Sequence, residues 1–234
     1  MLQANGVIGL WPANASGDDI FLFRDENRRE LAGVFRHLRQ QEKKKEGQAN
    51  LCLADFVAPL TSGRADYCGG FAVTAGIGIE KWKDQFREEN NDYKALLLES
   101  LADRLGEAFA EYLHLVVRKE LWAYAPEENL SLRDLLRSGY QGIRPAPGYP
   151  ACPEHSEKET LLNLLQADKA GITLTEHFAM YPNASVCGHY YAHPESRYFG
   201  VEKIGRDQVE DYARRKGITI EFAEKFLSEN LNYR

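Results

Sequence analysis

The most regular pattern of apolar and polar positions in this chain lies in residues 91–120. Apolar side chains recur there at steps of three and four residues, which is the spacing of one face of an α-helix. The pattern therefore predicts one long helix over residues 91–120, with Asn91 and Asp92 capping its start. Its apolar stripe consists of Leu98, Leu101, Leu105, Phe109, Tyr112 and Val116.

A second row of positions on the same predicted helix is acidic, at successive steps of four residues. Like charges at this spacing weaken a helix slightly. The row has two interpretations: an ordinary solvated surface eased by nearby arginines, or a surface that faces a cation or a partner domain. Its members are Glu99, Asp103, Glu107 and Glu111.

Shorter patterns predict a mixture of strands and helices in the rest of the chain. Residues 30–37 fit either the second strand of a hairpin or the start of a helix, and Gly33 favours the strand. No internal repeat, low-complexity tract or convincing linker is present, so the consistent interpretation is a single α+β domain over residues 1–234. Other strands are predicted at residues 7–11 (stopped by Pro12), 19–24, 67–74, 174–179, 186–193 and 198–201, and other helices at residues 130–137, 158–167, 206–216 and 219–227.

Residues 141–157, here called the proline segment, hold four of the nine prolines of the chain. Each proline fixes its own φ and pushes the preceding residue towards extended geometry, so the segment is expected to be stiff and extended. Arg144, Gly148 and Tyr149 add a guanidinium, a bare backbone position and an aromatic ring. This combination suits a small ligand that carries a carboxylate. The alternative is a structural connector whose arginine pairs with an acid of the protein.

Composition limits the class of protein. A hydrophobic content of 44% with 27% charged residues is typical of a globular protein, and the net charge of −6 gives no electrostatic reason to expect nucleic acid or an anionic membrane as a partner. No signal peptide and no apolar run of membrane-spanning length is recognisable. The four cysteines have no CxxC spacing, so reduced thiols and a cytoplasmic location are expected.

The sequence lacks the common catalytic and metal-binding motifs, including G-x-S-x-G, H-E-x-x-H and the P-loop. The glycines around Ile77 do not form a dinucleotide-binding fingerprint. His189 and His193 are four residues apart on a predicted strand, where packing among aromatic residues is favoured over metal binding. Asp55 lies in an otherwise apolar run, where capping of a turn or pairing with an arginine is the simplest explanation. The residues thus indicate a binding module with no catalytic and no metal site.

Five stretches of the sequence resemble the activation domain of cobalamin-dependent methionine synthase. The resemblance extends over nearly the whole chain, and chance similarity of five motifs in one order is implausible. The stretches are GLWPANASGDDI (9–20), CLADFVAP (52–59), DRLGEAFAEYLH (103–114), IRPAPGYPACPEHSEK (143–158) and RDQVEDYARRKG (206–217).

This resemblance implies a fold and a function. The fold would be an α+β unit with a bent, mainly antiparallel sheet and flanking helices, one of them long, and not a Rossmann fold. The domain would bind S-adenosylmethionine and dock over the cobalamin-binding domain of the same enzyme. With one electron from a flavodoxin-type reductase, the methyl group would pass to the inactive cob(II)alamin. The chain would then be a fragment of a longer methyltransferase, not expected to turn over alone, since the D-x-H-x-x-G cobalamin ligand motif is absent.

The resemblance also implies binding residues. The R-x-x-x-G-Y motif of the family falls on Arg144, Gly148 and Tyr149, and the guanidinium of Arg144 would hold the methionine carboxylate. Some members have a glutamate where this chain has Ser138, so no acid is expected to act from that side. The other positions that match ligand-contacting residues of the family are Asp55, Glu107, Ala146, Tyr198, Phe199 and Gly200.

The implied chemistry asks the domain only to place an already activated methyl donor, which is a proximity effect. That agrees with the missing acid and base residues. One alternative is a module whose main role is docking to the cobalamin domain or the reductase through Asp103 and Glu107. A stand-alone methyltransferase is disfavoured because catalytic residues are absent.

Overall fold

The structure, a computed structural model, describes residues 3–233 and combines one main sheet with helices. Five strands form this antiparallel sheet in the order β3-β2-β1-β4-β7, and β5 and β6 form a small separate pair. The α+β class and the mainly antiparallel sheet predicted from the sequence are therefore confirmed. The strands are β1 Gln3–Ser16, β2 Asp19–Phe23, β3 Leu31–Arg36, β4 Asp66–Ile77, β5 Thr173–Leu174, β6 Met180–Tyr181 and β7 Ser185–Tyr190.

Residues 3–233 contain six α-helices, and the longest is the one predicted from the apolar periodicity. Asn91 caps it by accepting a hydrogen bond from the backbone N–H of Lys94, and a π-helical turn, Val117–Leu121, continues it. No helix within residues 3–233 is both long and apolar enough to cross a membrane. The helices are α1 Ile79–Glu88, α2 Asp92–Val116, α3 Leu132–Leu135, α4 Glu157–Leu165, α5 Arg206–Lys216 and α6 Ile220–Phe226; the 3₁₀ turns are Leu53–Phe56, Leu60–Ser62 and Ala167–Ala170.

Two compact units can be distinguished within the chain. The first comprises residues 3–9, 70–139 and 162–188, and the second comprises residues 10–69, 140–161 and 189–233. The single domain expected from the sequence stays a prediction.

In the first unit, α2 buries a narrow face of small residues. Gly106 belongs to this face, and a Cβ atom there would lie 2.7 Å from the carbonyl oxygen of Ala184. The helix backbone therefore approaches the segment before β7 more closely than any larger residue would permit. The other small members of the buried face are Ala95, Ala102 and Ala110.

The large apolar stripe of α2 lies on a different side of the helix. An apolar stripe usually faces the protein interior, yet Leu101, Leu105 and Tyr112 are exposed, while Leu98 and Phe109 are half-buried. The periodicity thus predicts the helix correctly but does not reveal which side packs. The small residues pack because they permit the closest backbone approach.

The second unit contains the hairpin of β2 and β3, whose register pairs Ile20 with Phe35. This confirms the strand interpretation of residues 30–37. A cluster of buried residues forms where α5 and α6 pack together, around Val209, Tyr212 and Leu227.

Three strand predictions were wrong. Residues 174–179 do not form one strand: β5 ends at Leu174, residues 175–179 form a turn in which the N–H of Thr175 donates to the carbonyl oxygen of Ala179, and β6 begins at Met180. β1 continues through Pro12, since its pairing with β2 covers only Ala13–Ser16 and does not need the missing proline N–H. Residues 198–201 do not return as a strand beside β7. The N–H of Val201 instead donates to the carbonyl oxygen of Pro150 at 2.8 Å, so this stretch is hydrogen-bonded to the proline segment.

Candidate functional site

The first part of the proline segment lies beside the end of β7. Ile143 and Tyr191 exchange two backbone hydrogen bonds of 3.0 and 3.1 Å, and the N–H of His189 donates to the carbonyl oxygen of Pro145 at 2.9 Å. This start is extended, as the prolines predict. It is held by backbone pairing to a strand end, which fixes the position of Arg144 between the two pairing points.

The middle of the segment is a compact turn, which differs from the extended conformation expected throughout. The N–H of Tyr149 donates to the carbonyl of Ala146, and the N–H of Gly148 donates to that of Cys152 at 2.7 Å. Gly148 has φ +91°, and a Cβ atom there would lie 2.5 Å from Cε1 of His155. Glycine is required at this position because the positive φ is unfavourable for other residues and the imidazole of His155 occupies the space of a side chain.

His155 therefore forms part of the support beneath Gly148. Its Nδ1 lies 2.9 Å from Nζ of Lys158. Partial burial and the neighbouring ammonium of Lys158 lower the pKa of His155. The ring is thus neutral at pH 7 and accepts a hydrogen bond from the lysine.

The end of the proline segment is anchored by a buried ionic cluster. Nζ of Lys216, the last residue of α5, lies 2.5 Å from Glu154 Oε2 and 2.6 Å from Glu157 Oε1. The hydroxyl of Tyr212 lies 2.9 and 3.0 Å from the same two oxygens and shares its single proton between them. Ser156 donates to Glu154 through its backbone N–H and its hydroxyl. The segment is therefore clamped to α5 by charge-assisted hydrogen bonds in a buried environment.

The pKa values of the two carboxylates in this cluster are shifted in opposite directions. Burial opposes ionisation of Glu154, but the ammonium of Lys216 and the Ser156 donors lower its pKa overall. Burial is the stronger influence on Glu157 and raises its pKa. Burial also disfavours the charged form of Lys216, yet the two carboxylates raise its pKa, so the lysine is charged.

Tyr198 joins the proline segment from a distant part of the chain. Its hydroxyl accepts a hydrogen bond of 3.0 Å from the backbone N–H of Arg144. Burial of the hydroxyl end raises the pKa of Tyr198 to about 12, so it is neutral. The ring of Tyr149 is 63% exposed, which leaves it available for stacking against a ligand. The structure thus places Tyr198 against the backbone of Arg144. The assignment of Arg144, Tyr149 and Tyr198 to a ligand site stays a prediction.

Next to these residues is a cavity of about 640 Å³ within the second unit. Gly148 and Tyr149 form one side of it, and residues at and after the end of α6 form the other. Its lining is polar and of mixed charge, with His155, Glu202, Lys225, Glu229 and Asn230 among the contributing residues.

Phe199 and Gly200 continue from Tyr198. The ring of Phe199 packs against that of Phe56, with 6.3 Å between centroids. The carbonyl oxygen of Gly200 accepts a hydrogen bond of 2.6 Å from the side-chain amide of Gln40. Both positions are held by the surrounding fold.

Asp55 is engaged by the protein itself. Its two oxygens accept hydrogen bonds of 2.7 and 2.8 Å from the guanidinium of Arg39, and Oδ2 also accepts one from the N–H of Cys52. The bond to Asp55 is the chief reason that the pKa of Arg39 is raised. These contacts correspond to the turn cap and arginine pair that the sequence suggested as the simplest explanation. A ligand contact of Asp55 stays a prediction.

Glu107 belongs to the other unit, where it is exposed on α2. Its assignment to the ligand site stays a prediction from the resemblance.

His189 and His193 do not form a pair for a metal. His189 is buried with its ring 4.2 Å from that of Phe35, and His193 packs against Phe56. Burial lowers the pKa of His189 to about 3, so it is neutral. Within residues 3–233 no group of three or more His, Cys, Asp or Glu side chains is placed to hold a metal ion.

The sequence reasoning missed the role of Lys216 and Tyr212. The sequence holds only a weak indication of this cluster. Tyr212 and Lys216 are four residues apart on one helix, and Glu154 and Glu157 lie at the end of the proline segment. Nothing in that spacing shows that the two groups meet, because the partners are 55 or more residues apart along the chain.

The chain is similar to proteins of known class. The family model described as "Vitamin B12 dependent methionine synthase, activation domain" matches residues 1–217. Among solved structures, the crystal structure of the MetH reactivation domain bound to AdoHcy has 56% sequence identity and a TM-score of 0.97. That match covers 100% of this chain and 72% of the solved chain.

Proposed function

Because the chain belongs to the family of vitamin B12-dependent methionine synthase activation domains, we propose that it binds S-adenosylmethionine along the proline segment. It would present the methyl group of this ligand for the reactivation of the enzyme. The solved relative binds AdoHcy, which is S-adenosylmethionine without the transferred methyl group. This likeness and the matching R-x-x-x-G-Y motif support the proposal.

The observation that carries it is the arrangement around Arg144. The backbone of Arg144 is fixed by Tyr198 and by the pairing at Ile143, so its guanidinium starts from a defined position. An arginine held in this way can bind a carboxylate with two parallel hydrogen bonds. The methionine carboxylate of the ligand is the group that this arginine fits.

The turn after Arg144 suits the rest of the ligand. The exposed ring of Tyr149 offers a flat apolar surface for the adenine or the sulfonium side. The positive sulfonium can lie against this ring by a cation–π contact. The residues described thus fit S-adenosylmethionine in charge and in shape.

The role of the domain in the reaction is to position the donor. The sulfonium is already a good leaving group, so the protein residues orient the methyl group for in-line transfer and need not donate or remove a proton. Cobalamin held by another domain would supply the nucleophile after reduction by one electron, and AdoHcy would leave as the neutral thioether. The cobalamin-binding domain and a flavodoxin-type reductase are accordingly the proposed partners, and the proposed setting is methionine synthesis in the cytoplasm.

Calorimetric titration of the purified chain with S-adenosylmethionine and with AdoHcy tests the binding. We expect saturable heat for both ligands and a loss of affinity of more than about tenfold for Arg144→Ala, since a charge-assisted bidentate contact is removed. Arg137→Ala is the matched control, because Arg137 is an exposed arginine seven residues earlier in the chain. The absence of saturable heat, or equal binding by Arg144→Ala, would contradict the proposal.

A further inference from the structure

The side-chain amide of Gln40 joins two stretches of the second unit that are far apart in sequence. Gln40 is 7% exposed. Its Oε1 accepts hydrogen bonds from the backbone N–H of Leu51, at 3.1 Å, and from the ammonium of Lys44. Its Nε2 donates to the carbonyl oxygen of Gly200 at 2.6 Å, across 160 residues of sequence. One buried amide therefore holds both stretches.

The partners of this amide permit one orientation. A rotation by 180° would place the NH₂ group against two donors, the N–H of Leu51 and the ammonium of Lys44, and the oxygen against the carbonyl oxygen of Gly200. Hydrogen bonds would then be exchanged for repulsion in a buried place, where an unpaired polar group is costly. The N–H of Gln40 also donates to the carbonyl oxygen of Leu51 at 3.0 Å, so backbone and side chain are both fixed.

The stretch on one side of the amide has no regular secondary structure to fix it. Residues 196–203 belong to no helix or strand, so hydrogen bonds to other parts of the chain decide where their side chains lie. The hydroxyl of Tyr198 and the N–H of Val201 connect the stretch to the proline segment. The bond from Gln40 to Gly200 lies between these two points and ties the stretch to a different loop.

The loop on the other side of the amide leads into the turn that carries Asp55. Leu51 precedes Cys52, whose N–H donates to Oδ2 of Asp55 at 2.8 Å. Asp55 on this side, and Tyr198 and Phe199 on the other, are positions that the resemblance assigns to the ligand. The amide therefore connects two of the elements from which the proposed ligand site is built.

We propose that Gln40 is a positioning residue of the S-adenosylmethionine site. Its amide holds the carbonyl of Gly200 and, through it, the rings of Tyr198 and Phe199. These rings are thereby kept in place relative to the turn that carries Asp55. A site whose parts are held before the ligand arrives binds more tightly, because less ordering remains to be done. The inference rests on the proposed function, since it assigns a support to that ligand site.

Gln40→Glu separates the two halves of the amide. A carboxylate still accepts from Leu51 and Lys44 but places an oxygen against the carbonyl oxygen of Gly200, so the stretch is released there while the loop is kept. Calorimetric titration of the purified chain with S-adenosylmethionine should show an affinity at least about fivefold lower than that of the parent. Gln40→Met has no charge and none of the three hydrogen bonds. It should weaken binding at least as much, and it keeps the test decisive if the glutamate variant does not fold.

Gln41→Glu is the matched control. The side chain of Gln41 is exposed and also joins two stretches, by accepting from the N–H of Gly205 and donating to Asp207. A carboxylate at this position faces Asp207 and should lower the stability towards urea. The affinity for S-adenosylmethionine should stay within about twofold of the parent's. Urea unfolding of every variant shows whether affinity merely follows stability.

A second readout traces the effect to the aromatic ring that Gln40 positions. In Tyr198→Ala this ring is absent, so the further loss of affinity on adding Gln40→Glu should be smaller than the loss in the parent. A purely structural role of Gln40 would instead lower the stability and leave the affinity of the folded protein unchanged.

Three results would overturn the inference. They are parent-like affinity in the folded Gln40 variants, an equally large loss of affinity in Gln41→Glu, and an undiminished further loss in the Tyr198→Ala background. Each of them leaves the proposed function intact if the parent binds S-adenosylmethionine and Arg144→Ala binds it more weakly. A parent chain without saturable binding overturns the proposed function and this inference together.

Discussion

The ionic cluster at the end of the proline segment gives the sharpest prediction about stability. Replacing Lys216 by methionine keeps the approximate size of the side chain but removes the charge shared by Glu154 and Glu157. Both glutamates are buried, and the remaining polar partners are the hydroxyls of Tyr212 and Ser156 with backbone N–H groups. Two carboxylates would then lie close together without a cation.

The magnitude follows from what is left behind. Removing one partner from a buried ion pair typically costs about 3–5 kcal/mol, because the other charge stays desolvated. For a protein of this size that corresponds to a fall in melting temperature of about 6–20 °C. The same loss would loosen the turn that holds Gly148 and Tyr149.

The loss should depend on pH. Without Lys216 the folded-state pKa of Glu154 rises and that of Glu157, already raised by burial, rises further, so the folded variant binds more protons than the unfolded chain. Its stability therefore increases as the pH falls towards 5, and the difference from the parent is smaller at pH 5 than at pH 8. Urea unfolding followed by circular dichroism at both pH values measures this difference.

The matched control is Arg214→Met on the same helix. Arg214 is exposed and pairs with Asp211 one turn away, so its loss should cost less than about 1 kcal/mol at either pH. The reasoning is refuted if Lys216→Met costs no more than Arg214→Met. It is also refuted if changing Glu154 and Glu157 to glutamine in the Lys216→Met background restores no stability, since neutral partners remove the buried charge.

Two further predictions concern the proposed ligand site. Gly148→Ala should destabilise the protein by about 1–3 kcal/mol and weaken S-adenosylmethionine binding, because φ is +91° and the new Cβ would meet His155. Thermal unfolding measures the stability and calorimetry measures the binding. Gly17→Ala is the control that separates the steric clash from the backbone strain, because its φ is also positive but nothing lies within 4 Å of the new Cβ. The contribution of neutral Tyr198 to the stability of the fold should be complete below pH 10 and be lost as the pH rises through the folded-state pKa of about 12. The parent should therefore lose more stability over that interval than Tyr198→Phe. Equal losses of the two proteins in alkaline unfolding would contradict this.

Most of the helices and strands were predictable because their signals are local. The step of three and four residues gave α2 to within a few residues at its start, and the β-forming run around Gly69 gave β4. Pro12 misled the prediction, since whether a missing N–H matters depends on the neighbouring strand. Residues 198–201 misled it too, because their partner is the proline segment rather than β7.

The candidate site was predictable only in part. The sequence indicated Arg144, Gly148 and Tyr149 from their chemistry, and the resemblance added Tyr198, which the structure places on the backbone of Arg144. It could not show that Gly148 is required by the ring of His155. Nor could it decide that the carboxylate of Asp55 is used by Arg39.

The sequence by itself determined the α+β class, the long helix and a stiff proline segment with one arginine, since proline geometry and helical periodicity act between near neighbours. Only the tertiary structure decided that the proline segment turns sharply at Gly148 and that Lys216 clamps its end. It also decided that α2 packs through Ala102, Gly106 and Ala110 and leaves Leu101 and Leu105 exposed. These outcomes depend on which distant surfaces approach closely enough, and that is a property of the packed chain as a whole.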